Sequence, residues 1–131
     1  MCAGQSSGVE AAVHAIRKLF GQDMANGVLM VDAANTFNNI NRRVALHNIR
    51  KLCPSVATVL TNTYRRHSDL FIDGEVLQSE EGTTQGDPLS MAFYALATVP
   101  LSDACRVQDL GDVWFADDAS ASAHIQTLRK W

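Results

Sequence analysis

The sequence is poor in cysteine, and its few cysteines are badly placed for cross-links or metal binding. Cys2, Cys53 and Cys105 are far apart in the 131-residue chain, form no Cys-x-x-Cys pair and have no histidine nearby at zinc spacing. A disulfide framework and a structural zinc site are therefore not indicated. The pattern predicts reduced structural thiols in an intracellular protein, in the cytoplasm or the nucleus.

The sequence also lacks a long apolar run. The longest such run, 91–101, is shorter than the roughly 20 residues that span a bilayer, and it contains Tyr94, Thr98 and Pro100. The first residues, MCAGQSSG, have no basic leader followed by an apolar block. We therefore expect neither a secretion signal nor a membrane partner.

Positive charge is scarce as well. The 11 Lys and Arg residues are outnumbered by 14 Asp and Glu, which gives a net charge of -3. Because a free-standing nucleic-acid-binding protein is usually basic, the composition argues weakly against that role. Hydrophobic residues make up 47% of the chain and charged residues 19%, which is typical of one globular domain with a core.

Local signals predict four or five helices. A capping box at Ser7 and Glu10 and a C-cap position at Gly21 delimit the first helix, and Asn41 should cap the second. Pro54 should end the second helix and stand in the first turn of the third. The third helix and the later ones should cover 55–66, 89–105 and 128–131.

About five strands are predicted, and together with the helices they indicate an α+β fold. The run at 27–32 is continuously apolar and contains β-branched residues, which is typical of a buried strand. A hairpin should form around Asp73 and Gly74, because both residue types tolerate positive φ in a two-residue turn. Two further short strands should lie at 113–116 and 119–123.

Three aspartates stand out, because Asp32 ends one apolar strand and Asp117 and Asp118 follow another. A carboxylate at a buried strand end is costly unless it is compensated, and two adjacent carboxylates disfavour joint ionisation. A divalent cation would resolve both problems, and Mg²⁺ takes oxygen ligands. A tight turn beside Asp32 would give the geometry of two-metal phosphoryl transfer. On these residues alone, a solvated turn at 117–118 and a helix or turn cap at Asp32 remain open.

Three short blocks of sequence stand out by their order in the chain. The first, VDAANTFNNINR at 31–42, resembles the first catalytic motif of reverse transcriptases. The second, TQGDPLS at 84–90, is similar to the Gln-Gly-x-Pro-x-Ser motif, and FADD at 115–118 resembles the aromatic-Ala-Asp-Asp hairpin. The chain is most similar to the enzymes of non-LTR retrotransposons, and 4–20 resembles the helix that precedes their palm.

The resemblance implies the palm of a right-hand polymerase, which is an antiparallel sheet packed against helices. It implies one partial reverse transcriptase domain over 1–131, in which 1–25 leads into the palm and 26–131 carries the catalytic motifs. The fingers would be incomplete and the thumb would be missing. These segments of the parent polyprotein usually carry much of the positive charge, which would explain the acidic composition of this chain.

The resemblance also implies a metal centre. Asp32, Asp117 and Asp118 would be the catalytic residues, and with the backbone carbonyl of Ala33 they would hold two Mg²⁺ ions, for which Mn²⁺ could substitute. The strand that ends at Asp32 would neighbour the hairpin that carries the other two aspartates.

Further residues would contact the nucleotide and the nucleic acid. Phe37 matches the bulky residue that rejects a ribose 2′-hydroxyl, although an ordinary core phenylalanine stays open. Gln85 and Gly86 match the loop beside the incoming nucleotide, where glycine permits positive φ. Asp87 is interpreted as a first-turn carboxylate favoured by the helix dipole. Basic residues at helix ends would contact template and primer phosphates, or form a solvated helix face. They are Arg42, Arg43, Arg65 and Arg66.

The predicted function is RNA-directed DNA polymerase activity in a retrotransposon, in which a DNA primer is extended on an RNA template with dNTPs. One alternative is an inactive remnant of a degraded element that binds nucleic acid or protein. Another is the palm of an RNA-dependent RNA polymerase. Phe37 and Phe115 argue against it, because that palm more often has a smaller sugar-selecting residue and a glycine before its aspartate pair.

Overall fold

The computed structural model describes residues 5–22, 25–84 and 86–131, and it has the predicted α+β fold. Its strands form two antiparallel sheets, one with three strands in the order β1-β5-β4 and one with β2 and β3. The helices are α1 (Gly8–Phe20), α2 (Thr36–Asn39), α3 (Arg42–Leu52), α4 (Pro54–Tyr64), α5 (Ser90–Ala104) and α6 (Ile125–Leu128). The strands are β1 (Gly27–Asp32), β2 (Ser68–Ile72), β3 (Glu75–Ser79), β4 (Gly111–Phe115) and β5 (Asp118–Ala123).

The chain divides into two compact units. The first contains the described residues of Met1–Ala34 and of Leu101–Trp131, and the second is Asn35–Pro100. The first unit holds the three-stranded sheet with α1 and α6, and the second holds α2, α3, α4, the β2–β3 hairpin and most of α5. The prediction of one partial reverse transcriptase domain over 1–131 stays a prediction.

The core of the first unit is built on β5, the central strand of its sheet. Ala121 and Ala123 are buried and pack with Leu128 of α6. On the sheet, α1 packs against β4 and β5. Gly111 at the start of β4 permits this approach, because a Cβ atom there would lie 2.5 Å from the Leu19 side chain.

Two predictions for the first unit are wrong. The apolar residues of β1, Val28 to Val31, are between 38% and 77% exposed rather than buried, because β1 is an edge strand that pairs with β5 alone. Ser7 does precede α1, but its φ is 54° and its side chain makes no capping bond to any residue that the structure describes. A capping serine needs extended backbone, so the capping box does not form.

The second unit has a helical core. Asn41 caps α3 as predicted, since its Oδ1 accepts the Val44 N–H at 3.0 Å. Pro54 is the first residue of α4, also as predicted. The side chains that make up the core come from α3, α4 and α5, and they are Ala45, Leu46, Ile49, Ala57, Leu60, Tyr64, Phe93 and Ala97.

The β2–β3 hairpin extends from this unit with little cover. Asp73 and Gly74 form its two-residue turn with φ of 52° and 83°, as predicted. Both strands are exposed along their length apart from Ser79, which is half-buried. Apolar side chains such as Phe71, which is 78% exposed, therefore face solvent.

Cys53 and Cys105 are free thiols, as predicted, while Cys2 lies outside the described residues. In the described ranges, no helix has the length and apolar character needed to cross a bilayer.

Candidate functional site

The sheet of the first unit brings two of the three predicted catalytic aspartates together. β1 and β5 pair antiparallel in a register that sets Asp32 directly opposite Asp118. Residues paired in this way have Cα atoms about 4.5–5.5 Å apart, and their side chains point to the same face of the sheet. Both residues are exposed. The prediction that the Asp32 strand neighbours the aspartate hairpin is therefore confirmed.

The third aspartate lies in the tight turn that joins β4 to β5. Phe115 pairs with Asp118 across this hairpin, so Ala116 and Asp117 form a two-residue turn. Ala116 has φ 51°, a left-handed conformation that costs a residue with a Cβ about 1–2 kcal/mol. Asp117, which is half-buried, is thus the turn residue that directly precedes Asp118, the partner of Asp32 in the sheet.

The carboxylate pair lies on the side of the sheet that faces α1. Asp118 lines a cavity of about 260 Å³ together with Val13 and Ile16 of α1 and Phe115 of β4. The neighbours of Asp118 on this face are therefore apolar side chains of α1 together with the cationic side chain of Arg17. The sequence did not indicate that contact, because it depends on which face of the sheet α1 covers.

The donor set at this edge suits a hard divalent cation. Carboxylate oxygens are the ligands that Mg²⁺ prefers, and two like charges placed opposite each other on a sheet are destabilising unless they are compensated. Ala33 follows Asp32 directly and offers a backbone carbonyl. Among the residues that the structure describes, no three acidic, histidine or cysteine side chains form a metal-binding group. Metal binding by Asp32, Ala33, Asp117 and Asp118 stays a prediction.

Within the second unit, Phe37 is held from two sides. Its ring stacks on Tyr94, with ring centroids 4.4 Å apart and planes 27° from parallel. Its carbonyl accepts the Thr83 N–H at 2.6 Å and the Thr83 hydroxyl at 3.2 Å. Phe37 is therefore fixed beside the segment that leads into the Gln-Gly motif.

The Gln-Gly motif forms a tight turn. The Asp87 N–H donates to the Thr84 carbonyl at 3.1 Å, and Gly86 has a positive φ of 91°, which glycine adopts without steric cost. A Cβ on Gly86 would meet nothing within 4 Å. Glycine is therefore favoured at this position by its positive φ and not by a lack of room for a side chain. Gln85 lies outside the described residues.

Asp87 precedes α5 and organises its start. Its Oδ1 accepts the Leu89 N–H at 2.8 Å, and its carbonyl accepts the Ser90 N–H at 3.0 Å. The interpretation of Asp87 as a first-turn residue is wrong, because α5 begins three residues later at Ser90. The Asp87 carboxylate instead caps the helix from the segment that precedes it. The second carboxylate oxygen accepts the hydroxyl hydrogen of Tyr64.

The bond between Tyr64 and Asp87 shifts both titrations. Burial of Tyr64, followed by its hydrogen bond to Asp87, raises the pKa of the phenol well above its usual range. The same hydrogen bond, followed by the one from the Leu89 N–H, lowers the pKa of the Asp87 carboxyl below its usual value. The favoured state is therefore a neutral phenol that donates to a charged carboxylate.

The predicted phosphate-binding arginines differ in exposure. Arg42 is only 6% exposed, and its guanidinium donates to the Ser79 carbonyl at 2.7 Å and to the Gly82 carbonyl at 2.6 Å. The structure thus gives Arg42 the role of joining α3 to the end of the hairpin. Its contact with phosphates stays a prediction, as do those of the exposed residues Arg43, Arg65 and Arg66.

The surface around these arginines carries charges of both signs. A groove of about 340 Å³ is lined by Arg43, Arg65 and His67 but also by Glu80 and Glu81. His67 lies 3.8 Å from the Glu80 carboxylate. Acidic side chains therefore offset part of the positive charge that the sequence indicated.

The sequence did not indicate that Thr83 and Tyr94 contact Phe37, or that Tyr64 bonds to Asp87. Their partners are distant in the chain, as in the Tyr64–Asp87 bond, which spans 23 residues. One signal was available for Tyr64, because a tyrosine at a core position needs a partner for its hydroxyl.

A comparison with protein-family models finds no match for this chain, and a search of curated proteins finds no relative.

Proposed function

We propose that this chain supplies the palm of an RNA-directed DNA polymerase of a retrotransposon, and that it transfers nucleotides from dNTPs to a primer 3′-hydroxyl on an RNA template. The observation that supports this most is the register that sets Asp32 opposite Asp118. The third motif aspartate, Asp117, lies in the adjoining turn. Residues from the first and third motifs of the resemblance thus converge at one edge of an antiparallel sheet.

The contribution of the chain to catalysis would be a set of prepositioned oxygen donors. Asp32 and Asp118 are paired across two neighbouring strands, and Asp117 directly precedes Asp118 in the hairpin turn. Two Mg²⁺ ions, or Mn²⁺, would be held by these carboxylates and by the Ala33 carbonyl. When bound, such ions activate the attacking hydroxyl and stabilise the charge on the leaving phosphate.

The second unit would supply nucleotide selection. The Phe37 ring is braced by the Tyr94 ring at 4.4 Å, so it cannot yield easily to a bulkier sugar. A braced ring would reject a ribose 2′-hydroxyl by steric contact. Gln85 and Gly86 would line the nucleotide, and exposed arginines would bind phosphates with the salt dependence of such contacts. These arginines are Arg43, Arg65 and Arg66.

The proposal is tested by primer extension with the chain joined to the fingers and thumb segments of a non-LTR polymerase. We expect incorporation of dNTPs on an RNA template that requires Mg²⁺ or Mn²⁺. Asp32→Asn should lower the rate by about 100-fold or more, because it removes a charged donor from the site of charge development. The matched control is Asp109→Asn, which removes one charge from an exposed residue of the same unit whose φ of 61° asparagine tolerates.

Two results would contradict the proposal. One is primer extension by Asp32→Asn at the rate of the unsubstituted protein. The other is a rate for Asp109→Asn that falls as far as that for Asp32→Asn, because the effect would then follow from net charge and not from the carboxylate pair.

A further inference from the structure

The Tyr64 hydroxyl contacts both ends of the Gln-Gly turn. It donates its hydrogen to the Asp87 carboxylate, and its oxygen accepts the backbone N–H of Thr84. Thr84 and Asp87 are the first and last residues of the turn and are joined by their own bond of 3.1 Å. One phenol thus bonds to the two residues that begin and end the turn in which Gly86 lies.

Tyr64 is itself rigidly held in the core of the second unit. It is 4% exposed and is the last residue of α4. Its ring packs against Phe93 with centroids 4.7 Å apart, and the Arg42 guanidinium carbon lies 5.8 Å from its centroid. The phenol oxygen therefore links the turn to the helical core of the second unit.

The hydroxyl is not needed to fill this core. Phenylalanine has the same ring and would keep the contact with Phe93, whereas only a tyrosine can bond to Thr84 and Asp87. Gly86 is exposed and has no side chain to pack. The turn consequently depends on bonds at its two ends for a defined position.

We infer that Tyr64 is a positioning residue that holds the Thr84–Asp87 turn, which carries Gly86, for the incoming deoxynucleotide. The inference rests on the proposed function, because the turn faces a nucleotide only if the chain is a polymerase palm. Tyr64 acts through Asp87 and Thr84 and touches no reacting atom. Loss of its hydroxyl should therefore weaken nucleotide binding more than it slows chemistry.

The first experiment measures amide hydrogen exchange by NMR on the 131-residue chain. In Tyr64→Phe, the Thr84 and Asp87 amides should exchange about fivefold faster or more, since each loses a support worth a typical net hydrogen bond. The amides of Leu60 and Phe93 report whether the core is intact and should not change. The matched control is Thr63→Val, which removes the neighbouring hydroxyl that bonds to the Val59 carbonyl instead.

Asp87→Asn serves as the conservative variant. Its amide can still bond to the Tyr64 oxygen, so the exchange of the turn amides should lie between those of the unsubstituted chain and Tyr64→Phe. Unchanged exchange of the Thr84 and Asp87 amides in Tyr64→Phe would overturn the inference, whatever the chain binds.

The second experiment titrates dATP with Mg²⁺ against the same chain and follows the Gly86 amide signal. The Kd should rise at least about threefold in Tyr64→Phe, the scale of one weakened hydrogen bond, and should not change in Thr63→Val. Equal Kd values for Tyr64→Phe and the unsubstituted chain would overturn the inference. Absence of a saturable shift in the unsubstituted chain would instead contradict the nucleotide site of the proposed function, while the exchange measurement would still decide the role of Tyr64 in the turn.

Discussion

The β2–β3 and β4–β5 hairpins both have two-residue turns, but they differ in the residues at those turns and in the cover over their strands. The turn of β2–β3 is Asp73-Gly74, with φ of 52° and 83°. The turn of β4–β5 is Ala116-Asp117, in which an alanine adopts φ 51°. The first hairpin is exposed along nearly its whole length, whereas β5 is the central strand of a sheet.

The difference shows where the chain accepts backbone strain. Asp-Gly adopts positive φ at little cost, while alanine in the left-handed region costs about 1–2 kcal/mol. Such strain persists only where the surrounding structure determines the conformation, and it is concentrated at functional sites. In β4–β5 the surrounding structure is the pairing of β5 with strands on both sides, and the strained residue directly precedes Asp117.

The largest difference between the hairpins should be in activity. Asp117→Asn should lower primer extension by about 100-fold or more, because it removes a charged oxygen donor from the proposed metal centre. Asp73→Asn makes the same chemical change in the other turn and should leave the rate within about twofold, since Asn-Gly is also a favoured turn. Single-turnover primer extension with the fingers and thumb segments joined measures both.

The two variants are controls for each other, because each neutralises one aspartate of a two-residue turn. Similar losses in both would show that the carboxylate in β4–β5 has no special role. Equal activity in Asp117→Asn and the unsubstituted protein would remove Asp117 from the catalytic set.

A second difference should be in tolerance of larger side chains. Ala121 on β5 is 0% exposed, so Ala121→Leu should lower the free energy of unfolding by about 1–3 kcal/mol through overpacking. Phe71 on β2 is 78% exposed, so Phe71→Ala should change it by less than about 0.5 kcal/mol. Urea unfolding followed by circular dichroism measures both. A larger loss in Phe71→Ala than in Ala121→Leu would mean that the β2–β3 hairpin, and not β5, carries the packing.

A third difference should appear when the turn residues are exchanged. Gly74→Ala should lower the free energy of unfolding by about 1 kcal/mol, because φ 83° is retained and the added methyl meets nothing within 4 Å. Ala116→Gly should raise it by up to about 1 kcal/mol, because relief of the left-handed strain exceeds the entropy that glycine adds to the unfolded chain. The same urea titrations test the opposite signs. A loss in Ala116→Gly larger than about 1 kcal/mol would show that the alanine methyl contributes packing.

The hairpins also show which parts of the fold the sequence can predict. The Asp73-Gly74 turn, the Asn41 cap and the start of α4 at Pro54 were predicted correctly, because each depends on the conformational preference of one or two residues. The burial of β1 was predicted wrongly, because burial depends on strand order and β1 is at the edge. Ser7 failed as a cap because its φ of 54° depends on the backbone around it.

The features of the candidate site also divide into those that the sequence could predict and those that depend on residues distant in the chain. The neighbourhood of Asp32 and Asp118 was predicted from motif resemblance, and their register confirms it. The burial of Arg42 was not predicted, because its guanidinium bonds to carbonyls that are 37 and 40 residues away in the chain. The partners of Tyr64 were missed for the same reason, since a tyrosine at a helix end has no local signal for a carboxylate two elements later.

The Thr84–Asp87 turn combines features of the two hairpins, and the contribution of its aspartate to the stability of the fold should depend on pH. Like Asp73-Gly74 it has a glycine at positive φ, and as in β4–β5 an aspartate is fixed by surrounding structure, here by Tyr64. The hydrogen bonds from Tyr64 and the Leu89 N–H lower the pKa of Asp87 in the folded state. The charged carboxylate therefore stabilises the fold above the unfolded pKa, about 3.9 for aspartate, and this stabilisation is lost as the pH falls through the folded pKa.

Asp87→Asn should consequently be less stable than the unsubstituted chain in urea at neutral pH, and the difference should shrink as the pH falls below about 4. A difference that stays constant from neutral to acid pH would mean that the charge of Asp87 contributes nothing and that its bonds to Tyr64 and Leu89 act as neutral hydrogen bonds.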